Sequence, residues 1–263
     1  MEHALTPPVF VCDRASLEAD RVTLAGPEGR HATVVRRLTV GEPVDLTDGN
    51  GLIAHCVVVA ARTGELDLAV RDRRIEPAPR HRVVVVQAIL KGDRAELAVE
   101  LMTEVGVDVI VPWAAERCVA RWPSDRADKA LTRLRSTARE AAKQSRRARF
   151  PEVTGQADLA EVAARVSRAQ LALLLDPAAP SRLVDVELPA GADLAGADPA
   201  GADPADGGIV LIVGPEGGVS EAETERLVRA GAVPARLGPS VLRASTAGAI
   251  ASTLILTATG RWP

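Results

Sequence analysis

The sequence predicts an α/β protein in which a parallel sheet, with helices on both faces, follows a small β-rich module. Three observations predict it. The runs Val83 to Leu90, Leu171 to Leu175 and Ile209 to Val213 are short, continuous and rich in Val, Ile and Leu, as strands buried on both faces are. Helical patterns alternate with them, which is the rhythm of βαβ units. Two glycine-bearing loops, Gly214-Pro-Glu-Gly-Gly218 and Leu237-Gly-Pro-Ser-Val-Leu-Arg243, each follow a short apolar run and lead into a helical pattern. Such sheets hold their ligands there, and two pocket loops from neighbouring strands favour a ligand site more than either loop alone.

Residues 1–74 are β-rich. Strand candidates are Val9 to Val11, Arg21 to Leu24, Pro43 to Leu46, Leu52 to Val59 and the alternating Glu65 to Val70. Thr47-Asp-Gly-Asn-Gly51 marks a hairpin turn, and one helical piece, His31 to Leu38, interrupts the strands. The pattern suits a small barrel; such modules often grip RNA, although a barrel without a binding role would read the same way. Residues 75–82, extended by Pro77 and Pro79, form a linker to a second domain over 83–263.

In that domain the strand Val83 to Leu90 leads to a helix over Arg94 to Val105, a strand over Asp108 to Val111 and a long helix from about Ser124 to Ala148. Strands at Leu171 to Leu175 and Ile209 to Val213 follow. Ser220 and Glu223 form a capping box that opens a helix over Glu221 to Ala230. The last helix, Ala247 to Thr259, has a small-residue start. Residues 189–207 repeat Ala, Gly, Asp and Pro and are expected to be a disordered surface loop without a function of their own.

With 263 residues the chain has ample core for one large domain or two modest ones, and at 2% aromatics that core must be built from Ala, Val and Leu. The net charge of −3 gives no global argument for nucleic acid, but the distribution does. Between Arg117 and Arg149 eleven Lys or Arg face three acids, a local balance of 11 − 3 = +8. On a helix Arg135, Arg139, Lys143 and Arg146 fall within about one quadrant. Only Glu140 sits among them, so ion pairing within the helix does not account for the run, and phosphate contact is favoured over a solvated face.

Cys12, Cys56 and Cys118 are odd in number and far apart, and His3, His31, His55 and His81 have no ligand spacing. No metal site is therefore expected, and a reducing, cytoplasmic setting is. No signal peptide or membrane-length apolar run is read, so no membrane partner is expected. Neither Gly-x-Gly-x-x-Gly nor Gly-Lys-Ser/Thr occurs, and Glu216 would repel a phosphate. The glycine loops therefore suit a neutral or cationic ligand, or they are plain strand-turn-helix corners whose glycines permit positive φ.

Leu211-Ile-Val-Gly-Pro-Glu-Gly-Gly-Val-Ser-Glu-Ala-Glu223 and Leu237 to Arg243 resemble the RsmE family of SPOUT RNA methyltransferases. So do Thr103-Glu-Val-Gly-Val-Asp108, Glu116-Arg-Cys118, Glu140-Ala-Ala-Lys-Gln-Ser-Arg146 with Pro151-Glu-Val153, His31-Ala-Thr-Val-Val-Arg36 and Thr47-Asp-Gly49. The resemblance runs almost end to end, excluding the repeat. It implies an N-terminal PUA-like β-barrel for RNA and a C-terminal SPOUT-type parallel sheet with a deep trefoil knot. It also implies a homodimer that uses S-adenosylmethionine to methylate N3 of a uridine, position 1498 in the usual 16S rRNA numbering, on the small ribosomal subunit. Ala244, Ala247, Gly248, Ala249 and Ala251 give the last helix a smooth face for close packing against a threaded loop or a partner subunit.

The resemblance implies cofactor contacts from Leu175 and Asp176, from Gly214, Pro215, Glu216, Gly217 and Gly218, and from Leu237, Gly238, Leu242, Ser245 and Thr246. Glu216 either favours the sulfonium charge or braces its loop. Arg243 is the catalytic candidate, since a cation beside uridine would stabilise the charge that spreads to the carbonyl oxygens as N3 loses its proton. The alternative for Arg243 is a salt bridge at a helix start, where a cation sits against the dipole. RNA contacts fall to His31, Arg36, Arg37, Arg117, Arg135, Arg139, Lys143, Arg146 and Arg147. Two positions depart from the family pattern: Ser240 stands where many relatives carry a basic residue, and Ser245 where many carry Glu. Ribose 2′-O-methylation and a non-catalytic RNA-binding assembly role are the alternative functions.

Overall fold

The computed structural model describes residues 6–189 and 208–262, so the expected disordered loop, apart from residue 189, lies outside the described residues. The chain divides into two units, one of Met1–Ala78 with Glu140–Phe150 and the other of Pro79–Arg139 with Pro151–Pro263. Residues 140–150, assigned by the sequence reading to the second domain, thus belong with the first unit.

The first unit contains β1 (Val9–Val11), α1 (Arg14–Leu17), β2 (Arg21–Leu24) and α2 (Gly26–Arg30), which runs on into a π-helical turn over His31–Val35. Then come β3 (Pro43–Thr47), β4 (Leu52–Arg62) and β5 (Glu65–Ile75). The five strands hydrogen-bond in the order β1-β3-β4-β5-β2, antiparallel except for β1 with β3. Strands β4 and β5 run eleven residues each, longer than the sequence suggested. Register shifts at His55/Cys56 and Val58/Ala60 bend them around a core of Phe10, Leu17, Leu46, Leu66 and Leu68. Gly49 and Gly51, at φ 72° and 108°, make the β3–β4 turn that the sequence marks.

Segment 140–150 is held in this unit by that turn. The amide of Gly51 donates to the Ala148 carbonyl at 2.9 Å, and the Phe150 amide donates to the Gly49 carbonyl at 2.8 Å. The Arg149 guanidinium donates to the carbonyls of Glu76 and Pro77.

The second unit holds β6 (Val83–Ala88), α3 (Asp93–Val105), β7 (Val109–Trp113), most of α4 (Ser124–Gln144), β8 (Glu152–Val153) and α5 (Leu159–Arg168). These are followed by β9 (Leu171–Leu175), β10 (Ile209–Val213), α6 (Glu221–Arg229), β11 (Val233–Ala235) and α7 (Ala244–Ala258). Six parallel strands pair in the order β11-β9-β10-β6-β7-β8.

Side chains alternate across this sheet and build two cores. Val83, Val85, Ile209 and Leu211 face Ala98, Val99 and Met102 of α3 and Ala247, Ala251 and Ile255 of α7. Val84, Val86, Val210 and Ile212 face Val162 and Val166 of α5 and Leu227 of α6. The small-residue face of α7 is used inside the unit: a Cβ on Gly248 would lie 3.1 Å from Met102 Sδ and 3.2 Å from Val85 Cγ1. A larger residue would push α7 off α3 and β6.

Two expectations are corrected, and one helix had none. Helix α4 stops at Gln144, not Ala148, because Arg146 turns to φ 58° and the Arg147 amide closes back on the Ala142 carbonyl. The strands before the two glycine loops are not neighbours, since β9 lies between β10 and β11. Helix α5 was unread, although Asp158 and Glu161 form a full capping box ahead of Val162 and Val166.

Candidate functional site

The carboxyl ends of β9, β10 and β11 open onto one cavity of about 340 Å³, within the roughly 300–1,000 Å³ usual for small-molecule sites. Leu175, Asp176 and Pro177 come from the end of β9 and Val213 to Glu216, with Gly218, from the loop after β10. Leu237, Gly238 and Ser240 to Leu242 come from the loop after β11, and Arg243 to Ser245 with Ala247 from the start of α7. Arg94, in the first turn of α3, completes the wall.

Each wall has a local cause. Leu175 to Pro177 bends away because the Asp176 carboxylate accepts the Ala178 amide at 2.8 Å, a short side-chain turn that ends the strand. In the second loop Gly218 adopts φ 75°, and its amide donates to the Pro215 carbonyl at 2.8 Å. Ser220 and Glu223 then cap α6 in both directions, with Glu223 buried, and Glu223 also accepts the Glu116 amide at 2.8 Å. The loop after β11 differs. Among the described residues the backbone amides and carbonyls of Leu237 to Leu242 make no hydrogen bond within the protein. A Cβ on Gly238 would meet no atom within 4 Å.

Helix α7 begins without a side-chain cap, because Arg243 occupies its N-cap and cannot accept a hydrogen bond. The amides of Ala244 and Ser245 therefore remain available at the cavity wall, where the helix dipole favours negative charge. The charged groups on the wall are two acids, Asp176 and Glu216, and two arginines, Arg94 and Arg243. Arg94 Nη1 donates to Glu216 Oε1 at 3.3 Å.

The structure brings together Leu175, Asp176, Gly214, Pro215, Glu216, Gly218, Leu237, Gly238, Leu242, Arg243 and Ser245. Gly217 and Thr246 fall outside the lining. Gly217 backs onto Arg117, whose guanidinium donates to its carbonyl at 3.3 Å, and the Thr246 hydroxyl donates to the Arg243 carbonyl. The sequence reading missed Arg94, Val213, Val241, Ala244 and Ala247. Arg94 was within reach: Lys91-Gly-Asp-Arg94 also follows an apolar strand, and Gly92 at φ 61° turns the chain into α3.

The basic residues are spread over both units. In the second, Arg117 is exposed, Arg135 donates to the Val153 carbonyl at 3.0 Å and Arg139 is exposed. In the first, Arg36, Arg37 and Arg146 are exposed and His31 and Arg147 half-buried. Lys143 differs from a solvated helix face: it is buried, 3.2 Å from Glu28 and 3.3 Å from Glu140. The acid that pairs with it from α2 was invisible to helix spacing. Among the described residues no cluster of His, Cys, Asp or Glu is placed to hold a metal ion. No described helix is long and apolar enough to cross a membrane.

Fold and cavity define an α/β domain with a cavity at the carboxyl edge of a parallel sheet, joined to a β-rich module. Residues 76–256 match the RNA methyltransferase domain family, and residues 24–70 match the RNA methyltransferase PUA domain. A relative from Mycobacterium tuberculosis, ribosomal RNA small subunit methyltransferase E, is 44% identical over 90% of this chain and 86% of its own. Its namesake from Bacillus subtilis is 27% identical over 88% and 87%. The solved structure of the Neisseria gonorrhoeae protein of that name, bound to S-adenosyl methionine, superposes with a TM-score of 0.79 at 24% identity. That likeness in fold covers 96% of this chain and 98% of that one. The chain belongs to the ribosomal RNA small subunit methyltransferase E family of RNA methyltransferases, as its loop motifs implied.

Proposed function

We propose that this protein transfers a methyl group from S-adenosylmethionine to N3 of a uridine in 16S rRNA, position 1498 in the usual numbering. It acts in the cytoplasm on the small ribosomal subunit, as a homodimer whose C-terminal sheet carries the deep trefoil knot implied by its loop motifs. The observation that carries this reading is the cavity at the ends of β9, β10 and β11 in a chain of this family.

The residues present fit S-adenosylmethionine. Leu237 to Leu242 offer free backbone donors and acceptors beside Leu175 and Val213, which suits an adenine ring. Asp176 and Glu216 suit a sulfonium, and the uncapped start of α7 suits a carboxylate. When bound, the cofactor supplies an electrophilic methyl group.

The protein's own share is alignment, exclusion of water and management of one proton. Uridine N3 is protonated at neutral pH and becomes a nucleophile only as that proton leaves. Negative charge then spreads to the flanking carbonyl oxygens, and the Arg243 guanidinium on the cavity wall stabilises it. N3 lies on the Watson–Crick edge, so the uridine must be unpaired or flipped out. The dimer is supported by Leu97 and Ile250, apolar and exposed on the packed helices α3 and α7, where a second copy would cover them.

The test is transfer of labelled methyl from S-adenosylmethionine to small ribosomal subunits that lack the modification, followed by nucleoside mass spectrometry. Label in 3-methyluridine is expected. Label in ribose would make the protein a ribose methyltransferase, and no label from a folded dimer would make it a non-catalytic RNA-binding factor.

A further inference from the structure

The first unit contains a second cavity, of about 90 Å³, remote in sequence from the glycine loops. It is well below the roughly 300–1,000 Å³ usual for small-molecule sites, a size that suits a phosphate group rather than a whole nucleotide. Its walls include Pro8 and Phe10 of the β1 edge, His31 and Arg36 from the helical segment after β2, and Lys143 and Arg146 from the end of α4. Segment 140–150 is fixed there by the β3–β4 turn, so these side chains meet in a preformed arrangement.

The floor is rigid. Lys143 Nζ, its side chain 5% exposed, is held by Glu28 and Glu140 and lies 6.0 Å from the centre of the Phe10 ring. His31 meets the same ring edge-on, with centroids 5.8 Å apart. Lys143 with its two carboxylates sums to one negative charge, and Arg36 and Arg146 add two positive ones. Among the described residues neither arginine has a carboxylate partner; the Arg146 guanidinium donates only to the Thr6 carbonyl, at 3.3 Å.

The backbone points the same way. Arg37 and Arg146 are the non-glycine residues of positive φ among those described, at 55° and 58°. Arg146 occupies the position after α4 that glycine usually fills, since its amide returns to the Lys143 carbonyl and the Arg147 amide to that of Ala142. A side chain costs stability in that conformation. Among the described residues no ion pair repays it.

We propose that this cavity binds a backbone phosphate of single-stranded RNA, with Arg36 and Arg146 as its ligands and the Lys143 triad as the floor that aims them. The assignment rests on the rRNA reading above and deepens it, giving the N-terminal unit a defined phosphodiester subsite. Such a contact positions RNA without reading its sequence.

The test measures binding of fluorescein-labelled single-stranded oligouridylate to the full chain by anisotropy across a salt series. Arg36→Ala and Arg146→Gly are each expected to weaken binding several-fold and to flatten the log–log salt slope by about 0.7, one phosphate's share on a single strand. Arg146→Gly should also melt no lower than wild type, because glycine is at ease at that φ. That separates lost binding from lost folding. Arg21→Ala, an exposed arginine on β2, controls for general loss of charge. Variants that bind like wild type, or lose no more than Arg21→Ala, would overturn the proposal. Thermal stabilisation by inorganic phosphate alone equal to that by oligouridylate would assign the cavity to a free anion and overturn it too. Methyl transfer to small subunits is measured in parallel. Absence of transfer by wild type, with the binding losses intact, would sink the enzymatic reading and leave the phosphate site standing.

Discussion

Arg94 Nη1 lies 3.3 Å from Glu216 Oε1, tying the first turn of α3 to the glycine loop after β10 at the rim of the cavity. The two side chains are 51% and 34% exposed, so the pair contributes at most about 1 kcal/mol to folding. Its consequence is the position of Glu216. Glu216→Ala is expected to raise the Kd for S-adenosylmethionine by up to about tenfold, the equivalent of ~1.4 kcal/mol, with a near-unchanged melting temperature. Arg94→Ala should weaken cofactor binding in the same direction. Isothermal titration with both variants checks this, and unchanged affinity in both would show that the pair only decorates the rim.

Gly238 offers a cleaner perturbation. No atom lies within 4 Å of where its Cβ would be, and its backbone is outside the left-handed region, so a side chain there strains nothing. The residue lines the cavity, so that side chain would occupy ligand space. Gly238→Val is expected to fold like wild type and to weaken S-adenosylmethionine binding by roughly tenfold or more, the scale of ~1.4 kcal/mol. A variant with normal melting and normal affinity would move the ligand away from this loop.

Legibility followed the range of the forces involved. Strands β6, β9 and β10 and the cap of α6 are written in contiguous residues, through short continuous runs rich in Val, Ile and Leu and the Ser220–Glu223 pair, and were readable. The strand order was not: nothing local in Leu171 to Leu175 says that β9 lies between β10 and β11. The same limit hid the partner of Lys143, since Glu28 is 115 residues away. Helical spacing put Arg146 on the face of α4, whereas the chain had already turned into a left-handed residue. Most of the cavity wall was named from the two glycine loops and the end of β9, but Arg94 arrives by a fourth route, through the crossover after β6.

Leu97 and Ile250 test the dimer. They are 42% and 41% exposed on α3 and α7, whose opposite faces are buried against the sheet. Leu97→Glu with Ile250→Glu should therefore leave the cores intact and yield a folded monomer. Analytical ultracentrifugation against wild type reads the outcome directly. A double variant that still sediments as a dimer would place the subunit contact elsewhere.

Cys56 predicts a pH dependence. Burial, reinforced by the nearby Asp45 carboxylate, pushes its thiol up to about 11 from the ordinary 9.0. The unfolded chain therefore loses this proton more readily than the folded one. The stabilisation from Cys56 is complete below about pH 9 and is lost as pH rises toward 11. Urea midpoints at about pH 8 and about pH 10.5 should fall further for wild type than for Cys56→Ala. The buried thiol should also react slowly with thiol reagents in the native state.

Arg243 bears most directly on the chemistry. It is exposed, caps nothing and has no hydrogen-bonding or ionic partner for its guanidinium among the described residues, so its loss should cost little stability. A salt bridge at the helix start, the alternative its position allowed, is therefore absent there. A cation at the start of a helix is also disfavoured by the dipole, which makes a purely structural use unrewarding. If it stabilises charge on the uracil oxygens, Arg243→Ala should lower kcat by about 10²–10³-fold while cofactor affinity stays near wild type. Arg243→Lys keeps the charge but not the planar fork, and should recover only part of the rate. The variant should also shift the rate profile toward alkaline pH, because uridine must then lose its proton without that help. Single-turnover methyl transfer at several pH values reads all three effects. A loss confined to S-adenosylmethionine affinity would make Arg243 a cofactor ligand instead.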